Sequence, residues 1–267
     1  MLPRMRNLLA ALALWGLLPT SAALAADLLE IQKRGTLRVL AVVADEEAYF
    51  VSQRPGGPPG FDLEVLEGFA RLHKLTVEVV PASGWAALIP SLHRNKGDLI
   101  AGGFTDTASR RKLIAFTVEA FPTRSVVMTR KPAAVIQSVA DLKGKKVGTV
   151  KGTFMEDELA AAGVTNVDSS IATGGLPEAL RTSRVEVAVD GLEAALSAKA
   201  KDPDLQLGVF LGPPSSLAYG VRHEDQALLK ALNEYISNLR RTSTWSRLVV
   251  KYFGESAVEL LKSARTR

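Results

Sequence analysis

The chain has no cysteine. Disulfides and thiolate metal sites are therefore excluded, and no lipid-bearing cysteine can follow an export signal. Histidine is scarce too. His73, His93 and His223 stand apart, with no acid or second histidine at metal-ligand spacing. No serine sits in a nucleophile elbow, and no glycine-rich loop matches a dinucleotide or Walker pattern. No metal and no cofactor are expected from these residues. Neither sign of charge dominates: 33 Lys and Arg stand against 28 Asp and Glu, a net +5. The basic residues are spread among acids rather than gathered in a stripe, which argues against nucleic acid as a partner. Internal repeats and low-complexity runs are also missing.

What is present begins with a leader. Arg4 and Arg6 give a positive start, residues 8–18 are apolar, and Ala23-Leu24-Ala25 fits the small-x-small cleavage rule. Residues 1–26 are expected to be a signal peptide, cut after Ala25 or Ala26. As a membrane anchor the apolar run is too short, and Pro19-Thr20-Ser21 interrupts it. Removal of the two arginines leaves an exported, soluble chain of net +3. Its roughly 240 residues suffice for two lobes of about 100 residues or more.

Strand and helix patterns alternate. Strands are expected at 36–43, 76–80 and 98–101, with helices at 62–73, 85–94 and 109–114. An extended segment at 125–130 leaves the first lobe. A second series follows: strands at 145–150, 185–189 and 205–211, and helices at 154–162, 177–182 and 192–201. Residues 217–221 return to the first lobe, and helices at 224–241, 244–252 and 255–264 close the chain. The expected fold is α/β with mostly parallel sheets. Lobe 1 takes residues 27–127 plus 215–267, lobe 2 takes 128–214, and two crossing strands form a hinge.

The block GDLIAGGFTDTASRRKLIAFT, residues 97–117, carries the most chemistry. A buried strand ends in Gly102 and Gly103, which let backbone approach a ligand closely. A polar loop with Thr105 follows, then Arg110, whose planar fork fits a carboxylate through two parallel bonds. Strand ends of this kind are where open α/β sheets place ligands. Gly103 offers a carbonyl to an ammonium. Thr153 and Phe154 precede a helix whose free amides suit a carboxylate, although Thr153 also reads as a plain helix cap. Tyr49 and Phe50, after Asp45-Glu46-Glu47, offer an apolar wall. Arg124, near the hinge, offers a second cation but reads more simply as a surface arginine.

Several blocks in one order resemble the bacterial extracellular solute-binding protein family three, the amino-acid receptors of ABC importers. They are Gly35-Thr36-Leu37-Arg38-Val39, Gly60-Phe61-Asp62-Leu63-Glu64, WAALIPSL from Trp85, the loop with Asp98-Leu99-Ile100, Gly103, Thr105, Thr107 and Arg110, LKGKKVGTVKGT from Leu142, and TWSRLVVKYFG from Thr244. The resemblance implies a two-lobed periplasmic-binding-protein type II fold and a periplasmic monomer. It further implies a small carboxylate-bearing ligand, foremost an amino acid, and an inner-membrane permease as partner. Arg110 would hold the ligand carboxylate, with Thr105 as the matching hydroxyl. Trp85 would form an aromatic wall, against a bland reading as core. The family's ammonium-binding Asp falls, by ungapped count, on Gly191, with Asp190 one residue earlier; that offset leaves the amine partner open. Two alternatives stand. Some relatives on this fold are dehydratases of a cyclohexadiene carboxylate, for which Glu193, Asp190 or Glu156 would be the acid. The last block also resembles the solute-binding module of some murein transglycosylases, which suggests a sensor or accessory binder of a peptidoglycan-derived ligand.

Overall fold

A computed structural model describes residues 26–43, 50–52, 57–255 and 257–265. Residues 1–25 of the expected leader and Tyr49 lie outside the described residues, and Ala26 opens the first helix. Two sheets organise the chain. The first takes β1 (Thr36–Ala41), β2 (Thr76–Pro81), β3 (Leu99–Ile100), β5 (Ala115–Phe116) and β11 (Gly220–Val221), in the order β2-β1-β3-β11-β5. The second takes β4 (Thr105–Asp106), β6 (Phe121–Arg130), β7 (Val147–Val150), β8 (Val167–Ile171), β9 (Val187–Gly191) and β10 (Leu205–Leu217), in the order β4-β10-β6-β9-β7-β8.

Each sheet has a parallel nucleus, β2-β1-β3 in one and β9-β7-β8 in the other. The sheets are nevertheless mixed, which corrects the expectation of mostly parallel strands. The long crossing strands β6 and β10 run side by side in opposite directions, β6 also pairs antiparallel with β9, and the returning β11 enters antiparallel between β3 and β5. Chain that leaves and re-enters one half through adjacent strands must run both ways. The second crossing strand is longer than its sequence pattern suggested. It continues through Pro213 and Pro214 to Leu217, with register shifts between Leu207 and Phe210 and between Leu211 and Ser215.

Helices bury their apolar stripes on both faces of each sheet. On the first sheet, α2 (Phe61–Leu72) and α8 (Gln226–Leu239) cover one face. Leu228, Leu232 and Ile236 recur every four residues along α8 and are all buried. Around them lie α1 (Ala26–Arg34) and α9 (Ser243–Phe253). The opposite face packs on α3 (Trp85–His93), with the short α4 (Ala108–Arg111) beyond it. On the second sheet, α5 (Met155–Ala161) covers one face, and α6 (Leu176–Arg181) and α7 (Leu192–Lys201) the other. The last helix, α10 (Ala257–Ala264), reaches both halves: Ala257 and Leu261 pack in the first core, Ala264 in the second.

Beneath the cleft an aromatic group joins separate segments. Phe50, Phe61, Phe121 and Phe253 meet at centroid distances between 4.7 and 6.1 Å, several of them edge to face. At the opposite end of the first sheet, buried Asp98 binds Arg34 at 2.5 Å and Arg38 at 2.9 Å, and accepts the Arg38 backbone N–H at 2.7 Å. That acid ties α1 to β1 and sets the start of the strand that delivers the glycine loop. No helix among the described residues is long and apolar enough to cross a membrane.

Candidate functional site

Between the two sheets lies a cleft of about 720 Å³, part of it open to solvent. Gly103, Thr105, Arg110, Trp85, Thr153, Phe154, Asp190 and Phe50 all line it, although they come from both halves. Tyr49 falls outside the described residues, as do Asp45, Glu46 and Glu47.

Arg110 is the central cation. Thr107 caps α4 by accepting the Arg110 backbone N–H at 3.3 Å. That cap turns the side chain back toward the loop. Nη1 donates to the Thr105 carbonyl at 2.7 Å, and the guanidinium lies 4.0 Å above the centre of the Phe104 ring. Backbone and ring hold the fork, and no carboxylate among the described residues forms an ion pair with it. Burial lowers its pKa to about 10, and the charge of Asp157 opposes that shift. A half-buried guanidinium with unused donors facing a cleft calls for an anion. Its neighbour Arg111 instead pairs outward with Asp106.

The glycine turn is positioned by a residue that sequence reasoning quoted without giving it a role. Asp62, buried in the first turn of α2, accepts the N–H of Gly102 at 2.8 Å and of Gly103 at 3.0 Å through one oxygen. The Tyr219 hydroxyl donates to its other oxygen at 3.1 Å. Burial raises the Asp62 pKa to about 6, although these three bonds pull it down. Both glycines have positive φ, 91° and 80°. A Cβ on Gly103 would lie 2.8 Å from Phe50, so the turn closes against the aromatic core. An acid set between Phe61 and Leu63, on the apolar side of the helix start, was the available signal.

The second half supplies acids and a loop. Asp190 sits at the end of β9 with Oδ1 accepting the Gly191 N–H at 2.9 Å, and it lines the cleft despite the one-residue offset. Glu193, in the first turn of α7, is buried beneath the same wall and accepts a short bond from the Thr123 hydroxyl. Burial pushes its pKa up to about 7, and the charge of Asp62 adds to the rise. The 153–154 region differs in detail from expectation. The Thr153 hydroxyl donates to the Val150 carbonyl at 2.8 Å, so it is neither a helix cap nor free. Glu156 folds back and accepts the Gly152 N–H at 2.6 Å. Trp85 donates its indole N–H to the Thr173 hydroxyl at 3.0 Å, and Phe50 reaches the cleft from the core. Arg124 is not part of the lining. Its Nε donates to the Gly212 carbonyl at 2.9 Å, and its guanidinium lies over Phe210.

The family described as bacterial extracellular solute-binding proteins, family 3, matches residues 39–255. The chain belongs to that family. It is 25% identical to a membrane-bound lytic murein transglycosylase F of Desulfosudis oleivorans over 85% of its own length, and spans about half (50%) of that relative. It is 31% identical to the histidine-binding periplasmic protein of Salmonella typhimurium, over 62% of this chain and 68% of that one. Among solved structures, a mutant of ArgBP from T. maritima superposes with a TM-score of 0.77 at 28% identity, covering 86% of this chain and 100% of the other. The ancestral amino acid-binding protein AncCDT-1, a precursor of cyclohexadienyl dehydratase, superposes at 0.76 with 26% identity, covering 85% and 99%. The fold of this family 3 protein is thus the two-lobed type II binding-protein fold, with the cleft between its halves.

Proposed function

We propose that this family 3 protein is a solute receptor that captures a small carboxylate-bearing molecule, foremost an amino acid, by closing its two halves over it. One observation carries the reading: the Arg110 guanidinium is half-buried, braced by backbone and Phe104, and turned to the cleft without an ion-pair partner among the described residues. A ligand carboxylate completes it through paired charged hydrogen bonds. The Thr105 hydroxyl binds beside it, Asp190 receives the ammonium, and Phe50, Phe154 and Trp85 form the apolar walls. Residues up to about 127 and from about 215 move as one lobe, 128–214 as the other, and β6 and β10 bend between them. The relatives named for histidine and ArgBP support an amino-acid ligand. Export to the periplasm and delivery to an inner-membrane ABC permease complete the proposal.

A thermal-shift screen of amino acids, organic acids and muropeptides on the mature protein tests it, because a ligand raises the melting point by mass action. An amino acid that shifts the parent protein and leaves Arg110→Ala unmoved supports the receptor. A shift by muropeptides alone moves the role to an accessory binder.

A second reading is favoured by Glu193. A buried carboxyl with a pKa of about 7 beside the cleft is poised as a general acid, and one structural neighbour is a precursor of a dehydratase. Formation of an aromatic product from prephenate or arogenate, read as a gain in ultraviolet absorbance and abolished in Glu193→Gln, would replace the receptor by an enzyme.

A further inference from the structure

We propose that Trp85 and Thr173 form a latch across the mouth of the cleft, a contact that sets how readily the two halves close. The inference rests on the two-lobed fold and not on which solute binds. Trp85 opens α3 in the first half; Thr173 lies in the turn between β8 and α6 in the second, 88 residues further along. The indole Nε1 donates to the Thr173 Oγ1 at 3.0 Å. Its ring packs on the Leu88 cluster of one half and on the Leu176 cluster of the other. The same first turn of α3 meets a second loop. Gly152, at φ +75°, is so close that a Cβ on it would lie 3.4 Å from the Ala86 nitrogen and 3.6 Å from its Cβ.

An indole has one N–H and no acceptor. With that donor on Thr173, the polar end of Trp85 serves closure, and only its ring remains for a ligand. Both partners of the bond are protein groups, so the latch needs no third molecule. Opening the cleft hands the indole N–H and the hydroxyl to water. The net value of one such bond corresponds to about a fivefold change in the ratio of closed to open molecules.

The absence of cysteine makes the test direct. Lys112→Cys and Ala160→Cys, at exposed positions on the two halves, carry a pair of spin labels. Distances between them are measured by pulsed electron spin resonance without added solute. The expected result is a measurable short-distance population in the labelled parent. Trp85→Phe, which keeps a ring but loses the N–H, and Thr173→Val, which keeps the shape but loses the hydroxyl, each move the closed-to-open ratio about fivefold toward open. The double variant moves it no further than either single change. A parent already at the long distance, a single variant with an unchanged distribution, or additive effects in the double variant would each overturn the latch. None of these outcomes bears on whether an amino acid binds, so the receptor reading stands or falls separately.

Discussion

Replacing Arg110 by alanine tests the site at its strongest point. The side chain offers a planar fork held by the Thr105 carbonyl and the Phe104 ring. Two charge-assisted bonds to a carboxylate, each about 1.5–3 kcal/mol, sum to about 3–6 kcal/mol. Part of the cleft is open to solvent, and screening favours the lower end. The expected loss is about a hundredfold or more in affinity. Folding should hardly change. The variant forfeits the 2.7 Å bond to Thr105, but it also removes a half-buried charge that has no ion-pair partner among the described residues. The two effects offset to within about 1 kcal/mol. Isothermal titration with the amino acid giving the largest parent shift reads the affinity, and urea melts read the fold. Arg110→Lys keeps the charge as a point without the fork and should fall between the two. A folded Arg110→Ala protein that binds within threefold of the parent would refute the assignment.

Other consequences follow from the buried acids and the turn. Asp62 is raised from 3.8 to about 6 and Glu193 from 4.5 to about 7, in both cases by burial. The folded state holds more protons than the unfolded one between about pH 4 and 7, so stability falls as pH rises through that window, by about 3 kcal/mol for either group taken alone. Urea melts at pH 5 and pH 8 should show the lower value at pH 8, and Glu193→Gln should flatten the difference. Gly103→Ala places a Cβ at positive φ, 2.8 Å from Phe50. It should cost about 1–3 kcal/mol and weaken ligand binding, read by melting and titration. Asp98→Ala leaves Arg34 and Arg38 without their shared carboxylate and should destabilise by about 3 kcal/mol in a urea melt, with the affinity of folded molecules little changed.

Much of the site was legible because it is local. Gly103, Thr105 and Arg110 lie within eight positions on one strand-loop-helix unit, and their residue types led to the carboxylate site proposed above. The helix stripes were legible for the same reason: α8 repeats its buried leucines at helical spacing, and α7 begins and ends where its pattern does. The full length of the second crossing strand was not: proline is disfavoured inside a strand, yet the strand runs through Pro213 and Pro214, where register shifts between Leu211 and Ser215 absorb them. Thr153 was ambiguous between cap and ligand group, and in the fold its hydroxyl donates to the Val150 carbonyl.

By itself, then, the order of residues determined the alternating elements, the family and the cation at the strand end, since each depends on neighbours a few positions apart. Only the tertiary structure decided that Asp62 props the glycine turn from 40 residues away, that Glu193 shares its burial with the cleft wall, and that Trp85 spends its single donor on Thr173. Desolvation and hydrogen bonding act through space. A carboxyl's proton affinity and an indole's partner depend on what the folded chain brings alongside them.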